Sequence, residues 1–212
     1  MTKGESQVCL SVEQETVTRT SRNVVARIEG TDKAEEILTL TAHYDSVPEG
    51  PGAYDNMSGA AIIMELCRYF HAHRPRRTME FIWFGAEEKG LLGSQNYIKI
   101  HENELSAHRF NMNVDLAGQL VGGTVAGVTG DASVCNMITY MAHEIGIGMS
   151  TKNQIWGSDS NTFAWKGNPC NDAEQRWVWH AYPSRHHCTA VRLVTGEKCS
   201  SARLYCRQTG KY

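Results

Sequence analysis

No apolar run in the chain approaches the roughly 18–20 residues that span a bilayer, so the sequence offers no membrane segment. Charge of one sign is lacking too. The 21 Lys and Arg stand against 23 Asp and Glu, a formal net charge of −2, so phosphate neutralisation cannot drive a nucleic-acid interaction. Residues 1–7 are polar and hold no apolar signal-peptide core, so the chain as written reads as cytoplasmic. Internal repeats and low-complexity linkers are also missing, which excludes a repeat array. What remains is an ordinary globular chain of 212 residues, 41% apolar and 21% charged, long enough to bury a sizeable core.

The cysteines stand out. Cys9, Cys67 and Cys135 are scattered, whereas Cys170, Cys188, Cys199 and Cys206 crowd the C-terminal stretch. An odd count of seven without a signal peptide argues against a secreted disulfide framework. Cys188 and Cys199 beside His186 and His187 offer metal-ligand chemistry, but their spacing matches no familiar zinc finger.

Periodicity gives an alternating pattern. Residues 23–28 alternate as a strand and 29–33 read as a turn. Residues 37–42 fit a strand buried on both faces. Asp55 or Asn56 caps a helix carrying Ile62, Ile63, Leu66, Tyr69 and Phe70, which residues 74–77 end. A strand over 78–84 follows, then a helix over 89–100 with Leu91, Leu92, Tyr97 and Ile98 inward. Strands over 110–116 and 122–128 lead to a helix over 132–145 with Val134, Ile138, Met141 and Ile145 on one stripe. Strands alternating with helices predict an α/β three-layer sandwich, a mostly parallel sheet with helices on both faces. Ligands of such sheets gather beyond the carboxyl ends of the strands.

Those ends carry the chemistry. The first buried strand ends in His43-Tyr44-Asp45, and the next loop delivers Asp55. The second ends in Gly85-Ala86-Glu87-Glu88, and the third holds Asp115. Taken singly, these are a hydrogen-bonded pair, a helix cap and a solvated acidic face, although a carboxylate in an apolar strand needs a partner. Taken together, one His and several carboxylates on one sheet edge repel one another unless a cation compensates. A mixed nitrogen and oxygen donor set suits zinc.

The strings Ala42-His-Tyr-Asp-Ser46, Tyr54-Asp-Asn-Met-Ser-Gly59, Trp83-Phe-Gly-Ala-Glu-Glu-Lys-Gly-Leu-Leu-Gly-Ser94 and Asn113-Val-Asp115 resemble the co-catalytic di-zinc aminopeptidases, family twenty-eight of the metallopeptidases, which include bacterial leucyl aminopeptidases. The similarity runs over residues 21–167 and takes in Gly157-Ser-Asp-Ser160. The resemblance implies the zinc-dependent exopeptidase fold, two zinc ions and hydrolysis of the N-terminal peptide bond of peptides with a free N-terminus. It implies that Asp55 bridges the metals, that His43 and Asp115 complete one, and that Glu88 binds the other with a C-terminal His. Asp45 resembles the carboxylate that orients His43, and Glu87 the general base. Two rival readings sit on the same scaffold: a non-catalytic peptidase-like domain, as in transferrin-receptor-like proteins, and a single-zinc glutaminyl-cyclase-like acyltransferase. Side-chain preference, oligomeric state and native compartment are not specified by the pattern, although relatives are often exported.

The family's His-Thr-x-x-Asp segment, which supplies the last ligand, is missing from the chain. Residues 168–212 accumulate Trp, Arg, Cys and His without helical or strand period. The genetic code suggests why. Shifted forward by one nucleotide from Asn168, the allowed codons permit Ile-Pro-Ala-Met-Thr-Leu-Asn and, further on, Gly-Met-His-Thr-Arg-His-Asp-Thr-Ile. This is the family-like continuation, with the missing His at the position of Ala181. The sequence therefore divides into a partial catalytic domain at 1–167 and an aberrant tail at 168–212, truncated relative to the family at both ends. His180, His186 and His187 are the only nearby substitutes for the absent ligand. The chain as written is expected to bind metal weakly and turn over poorly.

Overall fold

A computed structural model describes residues 8–118, 123–154, 156–176 and 202–204. The strands are β1 (Val8–Leu10), β2 (Val24–Ile28), β3 (Lys33–His43), β4 (Arg77–Phe84), β5 (His108–Val114), β6 (Gly123–Val128), β7 (Met149–Lys152), β8 (Cys170–Arg176) and β9 (Ala202–Leu204). The helices are α1 (Ser58–Ala72), α2 (Leu92–Ile100), α3 (Ala132–Glu144) and the short α4 (Ser160–Ala164). A π-type turn, Ala53–Met57, precedes α1, and a 3-10 turn, Glu102–Ala107, follows α2. Two compact units result: Thr20–Val178, and Met1–Arg19 together with Trp179–Tyr212. In the smaller unit β1 pairs antiparallel with β9, Val8 opposite Leu204. No helix among the described residues is long and apolar enough to cross a membrane.

The larger unit is the expected α/β fold. Its seven-stranded sheet runs β2-β4-β3-β5-β8-β6-β7. The β4-β3-β5-β8 block is parallel, β2 and β8 meet β4 and β6 antiparallel, and β6 and β7 are parallel. Alternation along the central strands feeds both faces. Leu40, Ala42, Met79 and Phe81 pack with Ile63 of α1. Ile82 and Phe84 point the other way, into a cluster with Tyr97 and Ile98 of α2, Leu105 and Phe163 of α4.

Several local expectations change. The helix expected from residue 89 begins at Leu92, because Leu91 adopts a left-handed conformation (φ 60°). Leu92 is exposed there, while Tyr97 and Ile98 are buried. In α1, Ile63 is fully buried but Ile62 and Tyr69 face outward. In α3, Met141 and Ile145 are exposed and Ala142 is the buried residue, so the inward stripe is rotated from the expected one. Asp55 and Asn56 have non-helical backbone angles and precede the cap position, held by Met57. Asn56 still accepts the Gly59 N–H (3.1 Å), as a capping side chain does.

The strand β8 is the largest departure, since no periodicity marks residues 168–176. Its place comes from backbone bonding. Asn111 N–H donates to the Pro169 carbonyl (3.0 Å) and Thr129 N–H to the Cys170 carbonyl (2.9 Å). Asn168 anchors the approach, donating from Nδ2 to the carbonyls of Leu105 (2.8 Å) and His108 (2.9 Å). The chain therefore continues in the sheet beyond residue 167. His180, His186 and His187 lie outside the described residues.

Candidate metal centre

Three adjacent parallel strands end side by side. His43 is the last residue of β3, opposite Phe84 of β4. Thr41 is opposite Asn113 of β5, so two residues on, His43 and Asp115 reach the same level. Asp55 comes from the turn before α1, and Glu87 and Glu88 from the loop after β4.

The side chains converge on His43, which is 1% exposed. Its Nε2 is 3.0 Å from Asp55 Oδ1, 3.4 Å from Asp115 Oδ1 and 4.0 Å from Glu87 Oε2. Nδ1 lies 3.1 Å from the Asp45 backbone carbonyl. A carbonyl only accepts, so Nδ1 carries the hydrogen and Nε2 is the nitrogen turned to the carboxylates. The Asp45 carboxylate is 3.6 Å from Nδ1 and is bonded elsewhere, accepting the N–H groups of Glu87 (3.0 Å) and Glu88 (3.2 Å). Asp45 thus orients His43 through its main chain, while its side chain clasps the Glu87-Glu88 turn.

Electrostatics agree with a cation site. Burial opposes a charge on His43, but the hydrogen bond and charge of Asp115, with Glu87 and Asp159, outweigh it and raise the pKa to about 10. Burial raises Glu87 to about 8 against the pull of His43, with Asp159, Asp115 and Glu88 adding to the rise. Burial, then the neighbouring carboxylates, raises Asp55 and Glu88 too. Asp159 is fully buried, its pKa raised by that burial against the pull of the Ser94 hydroxyl, and Glu88 Oε1 lacks a hydrogen-bond partner among the described residues. So many inward carboxylates disfavour one another's charge and hold protons in its place, a cluster that a divalent cation would suit. His43, Asp55 and Asp115 each present a ligand atom, all within 4.8 Å of one another. Glu88 falls outside that set.

A buried relay supports Asp115 from behind. Asn111 Nδ2 donates to Thr41 Oγ1 (3.1 Å), and Thr41 Oγ1 to Asn113 Oδ1 (2.7 Å). Asn113 Nδ2 donates to Ser158 Oγ (2.7 Å), and Ser158 Oγ to Asp115 Oδ2 (2.8 Å). None of Thr41, Asn113, Ser158, Asp159 or Asn56 had been given a site role from sequence. Thr41 and Asn113 were visible as polar residues in apolar strands, and Ser158 and Asp159 as part of a quoted motif.

A mostly parallel α/β sheet thus brings a His and several carboxylates together beyond the ends of adjacent strands. The family model described as Peptidase family M28 matches residues 23–188, beyond the boundary drawn at 167. Aminopeptidase YwaD of Bacillus subtilis is 30% identical over 204 residues, covering 88% of this chain and 45% of that protein. A crystal structure of BSAP, a zinc aminopeptidase from Bacillus subtilis, superposes with a TM-score of 0.67 at 30% identity, covering 74% of this chain and 41% of the other. A glutaminyl cyclase from an Acidobacteriales bacterium shares the fold at 18% identity and a TM-score of 0.63, over 71% of this chain and 57% of that one. The chain belongs to peptidase family M28. It spans less than half the length of the Bacillus relative.

Proposed function

We propose that this site belongs to a co-catalytic two-zinc aminopeptidase that hydrolyses the N-terminal peptide bond of peptides. The convergence of Asp55 and Asp115 on His43 Nε2 carries this reading. His43, Asp55 and Asp115 would hold one metal, and Glu88, with Asp55, would take part in holding the other. Bound zinc supplies an activated water and polarises the scissile carbonyl. Glu87 is the base: it sits beside Glu88, held by Asp45 through its N–H, with its Oε2 4.0 Å from His43 Nε2. It takes the proton that the attacking water gives up and passes it to the departing amine nitrogen. Asp45 keeps both glutamates in register.

The tail belongs to this reading. Residues 168–212 are a reading-frame product in which the ligand-bearing segment is lost. In its favour, β8 lies inside the sheet, parallel to β5 and antiparallel to β6, where interior strands of α/β sheets are mostly apolar. Its sequence is instead Cys-Asn-Asp-Ala-Glu-Gln-Arg. The shifted frame permits Ala-Met-Thr-Leu over the same start. This chain is therefore a weak metal binder and a poor catalyst.

The test measures zinc content and aminoacyl-anilide hydrolysis for this chain and a frame-restored version. The restored protein is expected to hold two zinc ions per chain and to turn over, and this chain to do so poorly. Equal activity in both refutes the account of the tail. An inactive, zinc-free restored protein refutes the aminopeptidase reading. Glu87→Gln in the restored protein keeps the metal and abolishes turnover; retained turnover removes Glu87 as the base. A cyclised N-terminus in place of a released amino acid would favour the cyclase alternative.

A further inference from the structure

We infer that Asn56 is a positioning residue for metal binding: its side-chain amide sets the distance between the carboxylates of Asp55 and Asp115. The inference rests on the proposal that these two share a metal. Asn56 follows Asp55 directly and is fully buried. It makes no approach to His43. Instead Nδ2 donates to the carbonyl of Val114 (2.9 Å), and Oδ1 accepts the N–H of Leu116 (3.2 Å) and of Gly59 (3.1 Å). Val114 and Leu116 are the residues on either side of Asp115. One side chain thus grips the backbone before and after one ligand while its own backbone carries the other.

The bonding demands an amide. Val114 offers a carbonyl, which only accepts, and Gly59 and Leu116 offer N–H groups, which only donate. Asparagine presents one donor and one acceptor end in that order, which fixes the orientation of its amide. Two further features tighten the grip. Ser58 donates from Oγ to the Tyr54 carbonyl (2.7 Å) and accepts the Ala117 N–H (3.0 Å), a second tie between the same two loops. Leu116 holds φ at 62°, a conformation that is costly for a non-glycine residue and persists only when neighbours over-determine it. The bond from Leu116 N–H to Asn56 is such a constraint.

The experiment is a cobalt(II) titration of the full chain, read by d–d absorption, with far-UV circular dichroism on the same samples. His43, Asp55 and Asp115 are all present in this chain, so their site is testable whatever the tail supplies. Asn56→Ala is expected to weaken cobalt binding roughly 10–100-fold, the range for losing an outer-shell partner, with the dichroism spectrum kept. Ser58→Ala is expected to weaken it less, and it carries the test if Asn56→Ala does not fold. Asn168→Ala is the control: it removes two hydrogen bonds from a buried asparagine elsewhere and is expected to leave cobalt affinity unchanged. Affinity in Asn56→Ala within about twofold of the parent, outside that range, overturns the inference. So does an equal loss in Asn168→Ala. If the parent chain binds no more cobalt than His43→Ala, His43, Asp55 and Asp115 of this chain hold no metal and the inference is overturned, whereas the aminopeptidase reading stands or falls with the restored protein.

Discussion

Replacing Ser158 with Ala tests whether the relay behind Asp115 is a support or a bystander. The substitution removes one hydroxyl and little volume from a residue 3% exposed, so packing barely changes. What changes is bonding. Asp115 Oδ2 loses its hydroxyl donor and Asn113 Nδ2 loses its acceptor in Ser158. A buried group stripped of its partner costs about 1–3 kcal/mol, and more when it is charged. With Asp115 Oδ2 stripped of that donor, the metal-free protein should lose about 1–3 kcal/mol. For a domain of this size about 1 kcal/mol shifts the melting temperature by roughly 2–4 °C. Urea unfolding at neutral pH measures the loss as a fall in midpoint with an unchanged slope. Loss of the donor also frees the Asp115 carboxylate to rotate, so cobalt binding should weaken along with stability. A fall smaller than about 0.5 kcal/mol, the level of an uninvolved surface change, would refute the relay as a structural support. A full loss of stability with unaltered cobalt affinity would confine its role to the core.

Two further outcomes follow from the same geometry. His108 is buried, with Nδ1 against Thr39 Oγ1 (2.6 Å) and Nε2 without a partner; burial first of all lowers its pKa from 6.5, against the charge of Glu80. A base whose folded pKa is depressed contributes stability that is present above its unfolded value and lost as pH falls through the folded one. The stability difference between the parent and His108→Gln should therefore shrink below pH 6.5, and a pH-independent difference in urea midpoints would show that His108 does not titrate this way. Gly59→Ala places a Cβ 2.3 Å from the Val114 carbonyl oxygen and 2.5 Å from Asn56 Oδ1. Overpacking of this kind costs about 1–3 kcal/mol, and an alanine variant with unchanged melting temperature would mean that the loop yields freely.

The residues that converge on one edge were legible in the sequence because most of them end or closely follow a strand whose apolar run is easy to see. His43, Glu88 and Asp115 interrupt such runs or terminate them, and a parallel sheet brings all strand ends to one edge. The supports were harder to read because they act across long sequence separations. Asn56 sits beside Asp55, yet its partners are the main chain at Val114 and Leu116, which no local spacing encodes. Asp45 was assigned from the family resemblance as the carboxylate that orients His43, whereas its carboxylate is used on the Glu87-Glu88 backbone. The helix stripes were misplaced where a helix has only one covered side. Met141 and Ile145 fit the period of α3 but lie on its open side. Periodicity says that a face is apolar, not whether anything covers it.

The strand β8 sharpens this contrast between backbone and side-chain information. A strand inside a sheet is held first by main-chain bonds, which any residue except proline supplies on both sides. The gap between β5 and β6 can therefore be filled by residues 170–176 although their order carries no strand signal. The metal centre has no such tolerance. Its ligands must be particular side chains at particular ends, and a shift of frame that leaves a strand able to pair still removes a ligand. The first casualty of the proposed frame change is thus chemistry rather than architecture. That is why a chain can keep the sheet, His43, Asp55, Glu87, Glu88 and Asp115 together with the Asn56 clamp, and still be expected to fall short as a catalyst.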